Sequence, residues 1–378
     1  MIEYVEIRDA NSREVIGIVD TATSVIWHSV YYGVGDFEIY APCTPENTSF
    51  LVVGNFVTRY NDRNVGIIEQ VQVTYNDTEG RMIAAIGRFG KSVLDRRLIY
   101  KRSGYSVSPT ILRGNVEDSV RQLVSDNAIS CSFDSGRNIP ELALGEDAGI
   151  AKTIIDENGS SSEKQVTYKE LLSYTDELLE EYGMSAFCGL DGSGKLSYTV
   201  FEGVNRSVDN VDGNEPVIFS QDFDNLLTSS YAYDVVALKN TALIGGAGEG
   251  TERFCSILKE AGVMGLARRE MFVDASSSSK TYTDESDIEH TLTDSEYDLQ
   301  LKSLGRQSLT KTDIVETFEG EIDLTNGSFK YGDVADFYLG DIVTVQDIEI
   351  GMYANVRILE ITEVQDHEGY KINAVYGK

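Results

Sequence analysis

Alternating apolar and polar positions dominate the first hundred residues. Tyr4-Val5-Glu6-Ile7 and Val15-Ile16-Gly17-Ile18-Val19 flank Asp9-Ala10-Asn11-Ser12, a turn composition, and together predict a hairpin. Further strands are predicted over 24–32, 37–41, 50–60, 65–75 and 82–89. In the fourth of these, Ile67, Glu69, Val71 and Val73 share one parity while Ile68, Gln70, Gln72 and Thr74 share the other, the period of a half-buried strand.

After Val107 the pattern becomes mixed. A helix is predicted over 116–128 with Asn115 as its N-cap. A stronger one is predicted over 168–182, where Leu171, Leu172, Leu178 and Leu179 return to one face after seven residues and Thr167 and Glu170 stand in capping-box relation. Two strands, 184–190 and 195–201, follow around Asp191-Gly192-Ser193-Gly194, and Gly159-Ser160-Ser161-Ser162 reads as a loop. Strand candidates resume at 225–238, 241–245, 254–259 and 266–273, the third also readable as a short helix. A polar segment, 284–304, reads as helical from about Asp294. In the last seventy residues Val356 and Ile358 alternate with Arg357 and Leu359, and Tyr370, Ile372 and Ala374 alternate in the closing strand.

This pattern predicts a mainly β fold with an α+β insert. Residues 1–104 form a first β domain and 105–214 the insert. Residues 215–378 form a second β block, which partly completes the first domain, forms a second β domain and carries the helical segment near 284–304. At 378 residues the chain exceeds one ordinary core, as this division requires.

Charge narrows the function classes. The chain has 32 Lys and Arg against 62 Asp and Glu, a formal charge of -30. The densest basic groups, Arg96-Arg97 with Lys101-Arg102 and the pair Arg268-Arg269, lie among acids, so phosphate-neutralising nucleic-acid binding is not expected. No run of eighteen apolar residues spans a bilayer, and the start Met1-Ile2-Glu3 does not read as a signal peptide. Synthesis and folding in a cytoplasm are expected. Cys43, Cys131, Cys188 and Cys255 stand apart without a C-x-x-C, as isolated reduced residues do.

Catalytic and ligand motifs fail on spacing. The run Gly245-Gly246-Ala247-Gly248-Glu249-Gly250 is glycine-rich, but a G-x-G-x-x-G register ends on Thr251 or Arg253. Gly90-Lys91-Ser92 has Ala85 where a P-loop needs its first glycine. His28, His290 and His367 sit in different blocks, and no G-x-S-x-G occurs. The acidic turn from Asp209 to Glu215 lacks the calcium-loop order. Pairs of carboxylates carry no signal among 62 acids. No catalytic residue, cofactor or metal is expected.

Several stretches resemble one family, the baseplate hub proteins that close the distal end of the tail tube in long-tailed phages and related particles. Trp27 through Ile39 resembles its early Trp, aromatic, Gly, Phe-Glu pattern, on Trp27, Gly33, Gly35 and Phe37. Gly87 to Arg97 resembles the segment ending its first β block. The run from Leu238 through Gly245, Gly246, Gly248, Gly250 and Arg253 to Arg269, Glu270 and Asp274 resembles its strand-joining glycine loop and the closing Arg-x-Glu-x-Phe-Val-Asp unit, written here Arg268 to Asp274.

The resemblance implies a structural protein. Two tail-tube-like β domains per chain would make a homotrimer into a pseudo-sixfold ring that adapts a sixfold tube to a threefold tip. Implied partners are the tail tube protein, a tail spike or tip protein and other baseplate proteins. DNA would pass without specific binding, and no membrane insertion is implied. The location would be the baseplate of a virion tail or a phage-tail-like particle assembled in the bacterial cytoplasm. The chain leaves no room for the lysozyme or peptidase domain that some hubs carry. Rival readings are a receptor- or carbohydrate-binding tail tip protein, for which Trp27 and 21 tyrosines would offer stacking surfaces, and a peptidoglycan hydrolase.

Overall fold

A strand of 15 residues near the end of the chain, Met352–Asp366, forms the spine of the fold. Its first half, Met352–Arg357, pairs antiparallel with Ile342–Asp347, and from Arg357 to Asp366 it pairs antiparallel with Gly369–Gly377. Its other edge pairs antiparallel with Ser24–Val30 from the beginning of the chain, in a register that sets Glu360 against Val30 and Gln365 against Val25. The sheet continues through Asp36–Pro42, Gly80–Phe89, Gly66–Asn76, Phe56–Thr58 and Val5–Arg8 to the edge strand Val15–Val19. The first and last β blocks thus share one sheet. In this computed structural model the described residues are 2–60, 62–78, 80–155, 160–283, 289–310, 312, 314–323, 329–331, 336–349 and 351–377.

The chain divides into two compact units: a large one, Met1–Ser230 with Phe318–Lys378, and a small one, Tyr231–Thr317. Three apolar cores fill the large unit. One, with Trp27, Phe37, Ile39 and Ile83, belongs to the first β block. A second, with Phe219, Phe337, Val343, Ile358 and Tyr376, belongs to the last. The third lies under the insert, where Val120, Leu123, Leu171 and Leu179 pack with Tyr198 and Val200. Each fully buried large side chain contributes about 1.5–3 kcal/mol relative to exposure.

Local chemistry explains where elements begin and where the sequence pattern needs correction. Asn115 caps the helix Val116–Val124 by accepting from the Asp118 amide at 3.1 Å, as its residue type predicts. A π-turn over Ser125–Ile129 replaces the predicted continuation. The second helix begins later than predicted, at Leu171–Glu181, and the expected capping box does not form. Lys169–Glu170 instead pairs with Leu98–Ile99, and Thr167 Oγ1 is buried without a partner. The predicted strand over 50–60 shortens to Phe56–Thr58: the helix Pro45–Phe50, capped by Thr44, takes Phe50, and a turn closed by the Asn55 amide on the Val52 carbonyl, with Gly54 at φ +98, follows it. In Gly66–Asn76 the pairing register shifts between Ile68 and Gln70, which ends the simple alternation.

The small unit stands on its own core. Thr241–Gly245 is the central strand, antiparallel to Cys255–Lys259 and parallel to Glu270–Asp274. Ala242 and Ile244 face the helix Asp294–Thr310 and pack with Tyr297, Leu301 and Ala275. The helix predicted from about Asp294 is therefore present and longer at its end, while 284–288 lie outside the described residues.

Candidate functional site

The residues that carry the family resemblance fall into two separate places. Trp27 and Phe37 face each other on paired strands, with ring centroids 5.7 Å apart, and Phe89 closes the cluster 4.8 Å from Trp27. Gly33 and Gly35 lie in the connection between those strands. A side chain at Gly35 would strike the His28 carbonyl and the Phe89 ring, so close approach requires glycine there.

Gly245, Gly246, Gly248, Gly250, Arg253 and Asp274 come together in the small unit. The Arg253 side chain folds back over the loop, donating to the Gly246 carbonyl at 3.1 Å, the Gly245 carbonyl at 2.9 Å and Asp274 at 2.5 Å. Loop amides are also occupied: Gly246 donates to the Phe254 carbonyl at 2.8 Å and Ala247 to the Tyr297 hydroxyl at 2.8 Å. The loop therefore turns one strand into the next. Amides engaged in this way do not form a phosphate cradle. Arg269 and Glu270 lie at the other end of the strand, bonded to the Val235 carbonyl and to Arg268 respectively.

Sequence spacing did not reveal the polar seam beneath the shared sheet. Arg59 reaches across it, donating to Asp62 at 2.5 Å and, through Nη1, to Glu363 at 2.9 Å, while its guanidinium lies 5.0 Å over Trp27. All three side chains are nearly buried, at 9%, 4% and 5% exposure. Burial opposes the Arg59 charge, but the two carboxylates outweigh it and raise its pKa. Tyr370 donates to Glu363 at 2.5 Å, and burial first, then that carboxylate, push its phenol up.

Two further links join the blocks. His28 lies between Asp36 and Glu360, 3.1 Å from each. Burial disfavours its protonated form, but the two hydrogen bonds and charges prevail and raise its pKa. Tyr31, fully buried, donates to the Gly183 carbonyl of the insert at 2.9 Å and accepts from the Gly203 amide at 3.2 Å. Burial pushes its phenol up to about 12. The signals were present but unpaired: a lone histidine, a charged loop at 59–63 and acids in a late strand.

An open cleft of about 630 Å³ borders the seam, lined by Arg8, Thr58, Arg59, Arg63, Phe187 and Thr199 among others. Its arginines are committed to neighbours, Arg8 to Glu6 and Thr58, and Arg63 to aromatic rings. Among the described residues no cluster of His, Cys, Asp and Glu could hold a metal ion. No described helix is long and apolar enough to cross a membrane.

Two β blocks with separate cores on one continuous sheet, an α+β insert and a small α+β unit make up a fold shared with phage tail proteins. The tail protein from Neisseria meningitidis MC58 is similar at 13% identity and a TM-score of 0.58, over 99% of this chain and 96% of that one. So is the 43 kDa tail protein of prophage MuSo2 from Shewanella oneidensis, at 12% identity and 0.56, over 100% and 98%. The chain belongs to the Siphovirus ReqiPepy6 Gp37-like protein family, whose model matches residues 4–378. No curated protein matches it.

Proposed function

We propose that this chain is a structural tail protein of the baseplate type, a hub at the distal end of a phage or phage-like tail. One observation carries the reading: Met352–Asp366 pairs with Ser24–Val30, so two β blocks with separate cores lie side by side in one sheet. Three such chains offer six sheet modules, the number needed to meet a sixfold tube, because a closed ring requires a complementary edge at every step. The tail tube protein is the partner on one side. A spike or tip protein and other baseplate proteins are the partners on the other.

The formal charge of -30 supports the same role. A bore carrying Lys and Arg would hold DNA phosphates through counterion release, whereas an acidic wall lets the polymer slide. The role is structural, not enzymatic. It is supported by a glycine loop whose Gly246 and Ala247 amides are bonded to the Phe254 carbonyl and the Tyr297 hydroxyl and by arginines held by neighbouring side chains. The test is imaging of the intact particle with this chain labelled. Three copies around the axis at the end of the tube are expected. One copy, or six, would overturn the hub reading, and a bore lined by Lys and Arg would overturn the channel argument.

A further inference from the structure

Two Asp-Gly steps lie among the described residues, Asp191-Gly192 and Asp212-Gly213, and the fold holds them in opposite ways. An aspartate before glycine brings a side-chain carboxyl and the next main-chain nitrogen together with little hindrance, because glycine has no Cβ to shield that nitrogen. What such a step does chemically then depends on what else holds the carboxyl and the amide.

Asp191 is tied down. Its Oδ1 accepts from the Ser193 amide at 2.8 Å, the Ser193 hydroxyl at 2.7 Å and the Lys195 amide at 2.9 Å. Main-chain bonds lock the same turn, with the Asp191 amide donating to the Lys195 carbonyl and the Gly194 amide to the Asp191 carbonyl, each at 2.9 Å. Asp212 stands at an open loop tip. It is exposed, and among the described residues neither its carboxylate nor the Gly213 amide makes a hydrogen bond. Gly213 has φ +77 and no atom within 4 Å of where a Cβ would lie, and Val211 on the other side is 95% exposed. The loop is closed only below this tip, where the Asn210 side chain donates to the Asn214 carbonyl at 3.0 Å and accepts from the Asn214 amide at 3.1 Å.

We propose that Asp212 is a site of spontaneous isomerisation, where the folded chain converts aspartate to isoaspartate, and that Asp191 is protected from the same reaction. The Gly213 nitrogen bonds to the carboxyl carbon of protonated Asp212; the nitrogen's proton and the carboxyl hydroxyl leave together as water, and a cyclic imide remains. Water then adds to the main-chain carbonyl of that ring and breaks its bond to nitrogen, so the chain runs on through the former side chain. Nothing is oxidised or reduced, and water is the only co-reactant. The product carries an extra methylene in the backbone and a carboxylate on the former main-chain carbon. At Asp191 the charged oxygen must first give up its hydrogen bonds, and losing even one of them slows the step by roughly tenfold or more.

The test is peptide mapping of the full chain after prolonged incubation in neutral buffer, with isoaspartate tagged by an isoaspartyl carboxyl methyltransferase. Trypsin places Asp191, Asp212 and the Asn-Gly steps at 158–159 and 326–327, which lie outside the described residues, on separate peptides, so each is read alone. Conversion at 212 should outrun conversion at 191 by roughly tenfold or more. Asp212→Glu keeps the charge but closes a larger ring more slowly, and should remove the tag from that peptide. In guanidinium chloride both turns melt, and the two positions should convert at similar rates. Equal conversion at both positions in the folded chain would overturn the proposal. So would no conversion at 212 over an interval in which the unfolded chain converts, or a preference for 212 that persists undiminished in denaturant.

Discussion

The guanidinium of Arg63 lies 3.8 Å from the ring centroid of Tyr338. The same group stands 4.0 Å from Phe201 and 4.5 Å from Phe187. One cation from the first β block is thereby enclosed by rings of the insert and of the last block. The arrangement ties together all three parts of the large unit without a carboxylate.

Cation–π contacts run from about 0.5–1 kcal/mol at exposed sites to about 2 kcal/mol when desolvated, and Arg63 is half-buried, so Arg63→Ala should destabilise the large unit by about 1–2 kcal/mol. Arg63→Lys should recover only part, because an ammonium cannot stack flat against several rings. Trp27, the only tryptophan, sits in the first core, and its fluorescence during urea unfolding reports the change. A midpoint shift below experimental error for Arg63→Ala would refute the keystone role.

His28 gives the seam a pH dependence with a defined sign. Its folded pKa is raised above the ordinary 6.5, so its contribution is fully present below about that pH and is lost as pH rises through the folded value. Stability measured by Trp27 fluorescence should fall over that window, and His28→Gln should flatten it. Titration of the His28 ring by NMR should give a midpoint above that of a free histidine. A midpoint at or below it would contradict the bracket formed by Asp36 and Glu360.

Removing Glu363 from the buried Arg59, Asp62 and Glu363 group strips the guanidinium of one of its two carboxylates and Tyr370 of its acceptor. Glu363→Ala should cost about 3 kcal/mol, within the usual range for breaking a buried pair. Glu363→Gln should cost less, since an amide still accepts from Arg59 and from Tyr370. Equal losses for the two variants would show that the charge alone, and neither the packing nor the acceptor oxygen that glutamine keeps, is what Glu363 supplies.

The parts legible in the sequence were those set by short-range pattern. Tyr370, Ile372 and Ala374 alternate and lie in the closing strand, and Asn115 announces its helix by residue type alone. Thr167 and Glu170 had the right spacing for a capping box, but strand pairing of Lys169–Glu170 with Leu98–Ile99 claimed the backbone first. The partners of His28 and Arg59 could not be read, because Glu360 and Glu363 reach them only through the pairing of Met352–Asp366 with Ser24–Val30. No local period encodes that register. The mainly β order with its α+β insert came from the residue pattern, whereas the family resemblance rested on residues that the structure places in two clusters rather than one.

The glycine loop makes a sharper contrast between neighbouring positions. Gly248 has φ +98, and a Cβ there would lie 2.5 Å from the Glu252 carbonyl oxygen; Gly250 has φ +54 and open space around it. Both conformations strain a side chain, but only Gly248 adds a clash with backbone. Gly250→Ala should therefore cost about 1 kcal/mol and Gly248→Ala about 2–3 kcal/mol. The loss belongs to the small unit, whose core surrounds Thr241–Gly245, and should appear as faster amide exchange in that strand. Trp27 fluorescence, which follows the large unit, should not move in either variant. Equal exchange rates in the two variants would mean that the loop backbone relaxes freely around Arg253, against the three hydrogen bonds that hold it.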